Sequence, residues 1–171
     1  MPAPAPRPVD ALDTALLTLF AAEPRIGVLE ASRRLGVARG TVQARLDRLA
    51  ADGVIRDWGP QLDPAALGWP VTAFLTLQIQ QHQGHDPVTE HLAGIAEVLE
   101  AHTITGSGDV WCRVVARSNA DLQRVIDAVV AVEGIVRAST VIALATEIAY
   151  RTAPLVGSAA HDLGRTGGGA R

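Results

Sequence analysis

The stretch from Arg33 to Ile55, RRLGVARGTVQARLDRLAADGVI, constrains the fold more than any other part of the chain. Upstream of it, Leu12, Ala15, Leu16, Leu19 and Phe20 follow the i, i+3, i+4, i+7, i+8 spacing of an amphipathic helix. A short second helix with Val28, Ala31 and Leu35 inward runs into Gly36, where the chain must turn sharply and a residue without Cβ is favoured. Val37 then plugs the space between helices. A third helix, Arg39 to Ala51, places Val42, Leu46 and Leu49 on one side and ends at Gly53, in C-cap position. Its other side carries Arg39, Thr41, Gln43, Arg45 and Arg48. Three helices joined in this way form a helix-turn-helix, and a third helix so decorated fits a DNA major groove.

A plain helical bundle with a solvated basic face is the competing reading. Charge placement favours DNA. From Ser32 to Arg48 five arginines (33, 34, 39, 45 and 48) face one acid, Asp47, a local excess of four, while the chain as a whole is at −3. Affinity for DNA depends on how many phosphates are neutralised locally, so an acidic protein binds well when its cations are gathered. On this reading Gln43 suits adenine, the arginines suit guanine O6 and N7, and several of these contacts go to phosphate and set position without specifying sequence.

A chain of 171 residues has room for two small domains with cores of their own. No segment approaches the roughly 20 uninterrupted apolar residues of a membrane span. The start, MPAPAPRPVD, lacks the apolar stretch of a secretory signal. Cys112 is the single cysteine, which excludes an intrachain disulfide and a cysteine-based zinc site. These features point to the cytoplasm, with no membrane partner. His82 and His85 have a spacing compatible with a metal, but with only Asp86 near them they read as a solvated loop, so no metal site and no cofactor is expected. Cys112, with no His–Asp pattern around it, reads as a small core residue. All fifteen basic residues are arginine, a sign of a GC-biased genome more than of function.

Residues 1–8 are Pro/Ala-rich and 151–171 contain a Gly-rich tail, and both are expected to be disordered. Between them the charge splits: residues 1–58 hold eight arginines against seven acids, and residues 59–171 hold seven against eleven. Gly59, Pro60, Pro64, Gly68 and Pro70 cluster at the change, so residues 59–70 read as a linker between a DNA-binding domain at 9–58 and a second domain at 71–150.

The second domain alternates strand and helix patterns. Ala73, Leu75, Leu77 and Ile79 alternate with Phe74, Thr76 and Gln78, as in a strand with one buried face. Val88, Leu92 and Ile95 suit a helix. Strands at Val98–Thr105 and Val110–Ala116 flank the connection Gly106-Ser107-Gly108-Asp109. Ser118 caps a helix with Leu122, Val125, Ile126 and Val129 inward, and after Gly134 a last strand runs from Val136 to Leu144. The order βαββαβ predicts an α+β, ferredoxin-like domain with both helices on one face of the sheet. The other face, with Trp111 and Val115, needs a cover that the chain does not supply, so a homodimer is expected.

The loop Thr105-Gly106-Ser107-Gly108-Asp109 is the candidate ligand site. Its glycines let a small molecule approach backbone N–H groups that take a carboxylate, and Asp109 offers an acceptor for an α-ammonium group. A β-turn chosen for its geometry alone, with Asp109 bonding its own backbone, is the structural alternative.

The chain resembles the Lrp/AsnC (feast/famine) family of transcriptional regulators. The resemblance is carried by VDALDTALL, EASRRLGVARGTVQARLDRLAADGVI, QLDPAALG, VLEAHTITGSGDVWCRVVARS and GIVRASTVIAL, and it runs from about Val9 to Ile148. It implies an N-terminal winged helix-turn-helix domain followed by a ferredoxin-like domain that binds effectors and oligomerises. The dimers it implies assemble further, to tetramers or octamers. It also implies that the Gly-x-x-Asp loop borders the effector pocket and that Thr140, on the last strand, approaches it. The effector residues expected are therefore Thr105, Gly106, Gly108, Asp109 and Thr140. Two positions depart from the family pattern: Ala38 stands where a hydroxylated N-cap is common, and Gly40 where a small hydroxylated residue is common.

The function implied is sequence-specific regulation of transcription through double-stranded DNA, controlled by an amino acid or a related small molecule, with no catalytic residues. Two further functions fit the same scaffold. A tetrapyrrole (siroheme-type) decarboxylase would need a His/Arg cluster, for which only His102 and Arg113 are placed. An architectural DNA-binding protein would bind with little sequence preference.

Overall fold

The computed structural model describes residues 8–80 and 86–158. The described residues form two compact units, one made of those up to Pro60 together with those from Ala149 onward, the other of those between Gln61 and Ile148.

The first unit contains α1 (Ala11–Ala22), α2 (Val28–Leu35) and α3 (Arg39–Ala51). Asp10 caps α1 in a capping box: its side chain accepts from Asp13 N–H at 2.9 Å, and the Asp13 carboxylate accepts from Asp10 N–H at 3.0 Å. Gly36 closes α2 in the left-handed region, φ 65°, where a Cβ would be strained. Ala38 leads into α3 without a side-chain cap, as its methyl group requires. Leu16, Ala31, Val42 and Leu46 form the core, with Val37 and Phe20 packed against it, so the apolar spacing of all three helices converges as expected. No strand follows α3 among the described residues of this unit; Val54 and Ile55 both donate back to Leu49 O, and Trp58 meets Phe20 edge to face.

The second unit runs β1 (Val71–Ile79), α4 (Asp86–Ala93), β2 (Val98–Thr103), β3 (Val110–Ala116), α5 (Asn119–Val130) and β4 (Ile135–Ile142). Its antiparallel sheet has the order β2-β3-β1-β4, the arrangement that two split βαβ halves produce. Ala73, Leu75 and Leu77 of β1 and Val110, Cys112 and Val114 of β3 bury their side chains against Val88 and Leu92 of α4 and Leu122, Val125 and Val129 of α5. Ser118 caps α5 by accepting from Asp121 N–H at 3.0 Å.

Several boundaries differ from the sequence expectation. Residues 61–70 are not a free linker but a hydrogen-bonded turn of the second unit, with Leu67 N–H on Asp63 O and Trp69 N–H on Pro64 O. The second strand stops at Thr103, because the loop after it folds back on β1. Residues 153–158, expected in the disordered tail, are helical. The expected disorder at 1–7 and 159–171 and the His82/His85 loop lie outside the described residues. Among the described residues no helix is long and apolar enough to cross a membrane, and no cluster of His, Cys, Asp and Glu could hold a metal.

Candidate nucleic-acid interface and effector loop

Helix α3 sorts the expected DNA-facing residues into two sets. Arg39, Thr41 and Gln43 are exposed; Arg45 and Arg48 are half-buried. The reason is geometric. At 100° per residue Arg45 and Arg48 lie on one flank of the Val42/Leu46/Leu49 stripe, not opposite it, and that flank faces the first turn of α1. There Arg45 pairs with both Asp10 and Asp13, the second at 3.1 Å, and Arg48 pairs with Asp13. Asp13 is fully buried, so these two guanidinium groups supply the partners that a buried carboxylate requires.

The local excess of positive charge counted along the sequence is therefore largely consumed inside the unit. Arg33 lies 3.8 Å from Glu30, and Arg34 pairs with Glu23 and, at 3.3 Å, with Glu30. Of the five arginines between Ser32 and Arg48, Arg39 alone has no acid within ion-pair distance among the described residues. Gln43 Nε2 donates to Asp47 at 2.8 Å, an i, i+4 bond that orients its amide along the exposed side of α3. Glu23, Asp10 and Asp13 were not recognised from sequence as partners of these arginines, because pairing across 11 to 35 residues leaves no local pattern. The N-terminal turn of α3, with Arg39, Thr41 and Gln43, is the part left open to a partner.

The loop between β2 and β3 is fastened to β1. Asp109 N–H donates to Leu77 O at 2.8 Å, its carboxylate Oδ2 accepts from Ile79 N–H at 2.7 Å, and Gln78 Nε2 donates to Ser107 O at 2.9 Å. Asp109 thus bonds the neighbouring strand, not its own backbone, and only one of its two oxygens is used there. Gly108 is buried beneath the loop: a Cβ at this position would meet Thr76 Cγ2 at 2.3 Å and Leu77 O at 3.1 Å, so any other residue requires the loop or Thr76 to shift. Gly106 has φ 118°, a conformation other residues rarely adopt.

An open concavity of about 320 Å³ lies over this loop, lined by Gln78, Ile79, Gly106, Ser107, Gly108, Asp109 and Val136. Of the expected effector residues, Gly106, Gly108 and Asp109 come together there, while Thr105 and Thr140 do not line it. Thr140 pairs with Leu75 in the β1–β4 register, and directly paired residues share a face, so it sits on the side of the sheet that carries the helices. Gln78, Ile79 and Val136 join the site only through strand pairing.

On the other face of the sheet Phe74 and Trp111 stack, with centroids 5.2 Å apart, and His102 lies 5.7 Å from Trp111. Val115, expected to need a subunit partner, is already buried within the chain at 4% exposure. Phe74 and Trp111 are themselves half-buried, and Val141, which pairs with Phe74 on the same face, is 64% exposed and left uncovered. Arg113 Nε lies 3.1 Å from Glu100 Oε1, and His102 Nε2 lies 3.6 Å from the other oxygen of Glu100. The His/Arg pair that a decarboxylase would need is thus engaged by an acid of its own sheet.

Comparison with known proteins decides the family. Residues 9–56 match the winged helix-turn-helix DNA-binding family and residues 72–153 match the Lrp/AsnC ligand binding domain. An uncharacterised HTH-type transcriptional regulator of Pyrococcus abyssi is 33% identical over 118 residues, covering 69% of this chain and 74% of that one. The chain belongs to the Lrp/AsnC family of transcriptional regulators. The structure of Escherichia coli AsnC is similar with a TM-score of 0.78 at 25% identity, covering 85% of this chain and 99% of that one. A feast or famine regulatory protein of Mycobacterium tuberculosis, solved in complex with L-methionine, has a TM-score of 0.74 at 24% identity and covers 82% and 95% of the two chains. Both family matches fall on the units built above: the helix-turn-helix on α1–α3, the ligand-binding domain on the ferredoxin-like sheet and its helices.

Proposed function

We propose that this chain is a sequence-specific transcription regulator that docks α3 on double-stranded DNA and responds to an amino acid or closely related metabolite held at the Gly106–Asp109 loop. The observation that carries the reading is the concavity over that loop, in the unit that matches a ligand-binding domain. It sets two glycines, whose lack of side chains lets a small molecule approach the backbone, beside an aspartate fixed to β1 and suited to an ammonium group. The regulator of Mycobacterium tuberculosis with the same fold was solved with such a molecule, L-methionine. Arg39, Thr41 and Gln43 make the first contacts with DNA, and Arg45 and Arg48 act through their ion pairs.

The stacked Phe74 and Trp111 support a homodimer that buries this face of the sheet against a second copy. Ligand at the loop then changes how dimers associate, and with it the spacing of recognition helices along DNA. A thermal-shift screen of the amino acids on the full chain tests the effector. A ligand at about 100 times its dissociation constant stabilises by about 2.7 kcal/mol, and Asp109→Ala removes that gain while leaving DNA affinity without ligand intact. A screen in which no amino acid raises the melting temperature refutes the amino-acid assignment.

A further inference from the structure

We propose that Asp10 gates the DNA-facing flank of α3: its carboxylate holds Arg45 back from the phosphate backbone, so that the chain binds DNA more weakly than its arginines allow. This rests on α3 being the groove-facing helix. The two acids at the start of α1 are not equivalent. Asp13 is sealed from solvent and serves both arginines, so it belongs to the packing of the unit. Asp10 sits at the rim, with its side chain 48% exposed. One of its oxygens caps α1 through Asp13 N–H and the other pairs with Arg45.

Two carboxylates and two guanidinium groups cancel, so Arg45 and Arg48 add no net charge to the interface while both acids are in place. The Asp13 N–H first, and the Arg45 guanidinium next, hold the Asp10 carboxyl below the ordinary carboxylate range, so the cancelling charge is present at neutral pH. A phosphate approaching the half-exposed Arg45 meets an anion already bonded to the same guanidinium, and the two compete for its donors. The cap itself does not need the charge. Serine or asparagine offers the same oxygen to the N-terminal N–H groups. The negative charge at position 10 is therefore separable from its helix-capping role, and the consequence of that charge is attenuation of non-specific DNA affinity. An attenuated phosphate term leaves discrimination to residues such as Arg39 and Gln43, and keeps the regulator from being trapped on arbitrary sequence.

The test uses the full chain and a fluorescein-labelled, mixed-sequence DNA duplex, titrated across salt concentrations for wild type, Asp10→Ser, Arg45→Ala and the double variant. Asp10→Ser is expected to bind about two- to fivefold more tightly at low salt, the range of one exposed ion pair. Its plot of log affinity against log salt steepens by about 0.9, one more phosphate neutralised. Both gains vanish in the double variant, because they act through Arg45. Asp10→Asn repeats the measurement with a second capping residue, and thermal melts show that each variant is folded. An unchanged or weakened affinity in folded Asp10→Ser and Asp10→Asn overturns the gate, as does a gain that persists without Arg45. Wild type that binds no duplex at any salt overturns the groove-facing reading together with the gate; wild-type binding with unaltered variants overturns the gate alone.

Discussion

Asp13→Ala is the most revealing perturbation of the first unit, because one fully buried carboxylate ties together α1 and α3. The substitution removes the acceptor for Asp10 N–H, for Arg45 at 3.1 Å and for Arg48. Loss of the capping-box arm costs about 0.5–1 kcal/mol. Breaking a fully buried ion pair costs about 3–5 kcal/mol, because the partner is left as an unpaired charge. Here the guanidinium side chains keep 30% and 27% exposure and can turn partly to water, and Arg45 keeps Asp10. The ion-pair contribution is therefore nearer to about 1–3 kcal/mol. The sum is about 1.5–4 kcal/mol, which for a unit of this size lowers its melting temperature by roughly 6–32 °C. Scanning calorimetry of the full chain should show the helix-turn-helix transition moving down while that of the ferredoxin-like unit stays. Asp13→Asn, which keeps an acceptor but loses the charge, should fall between wild type and alanine. A shift below about 0.5 kcal/mol for Asp13→Ala, well under the capping and pairing ranges, would show that the network contributes nothing and would refute the reasoning.

The second unit offers two further tests. Gly108→Ala forces a Cβ to within 2.3 Å of Thr76 Cγ2, so the loop must lift from β1; a loss of about 1–3 kcal/mol and of ligand response is expected, and wild-type melting would show that the loop is not pinned there. Arg124 bonds Asp121 at 2.7 Å and Glu97 at 2.6 Å, and these bonds hold both carboxyls below their ordinary values of 3.8 and 4.5. As pH falls below about 4.5 the unfolded chain takes up protons before the folded one does, so stability present at neutral pH is lost on acidification. Acid titration monitored by circular dichroism should show this loss, and Arg124→Ala should make the unit less sensitive to acid between neutrality and pH 3–4, since Glu97 and Asp121 then lose the bond that lowers each most, while Asp121 keeps the Arg117 N–H.

The elements of this fold are local statements, and the sequence makes them locally. Gly36 turns because a left-handed residue without Cβ ends α2 at least cost; Val42, Leu46 and Leu49 declare one side of α3; Ser118 announces α5; the alternation in β1 marks its buried face. The family motifs follow the same residues, so the two-unit organisation and the ferredoxin-like order were legible from the chain. What each functional side chain is free to do was decided elsewhere. Arg45 and Arg48, grouped in the sequence with the open side of α3, lie on its flank, and their partners stand 32 to 35 residues earlier, at the start of another helix. The candidate effector loop likewise gained Gln78, Ile79 and Val136 from paired strands, while Thr140 went to the helix-bearing face of the sheet and does not line it. Spacing along a chain fixes direction within one element. Ion pairing and strand register act between elements, so which arginine stays unpaired and what walls the candidate ligand site has were decided by tertiary structure.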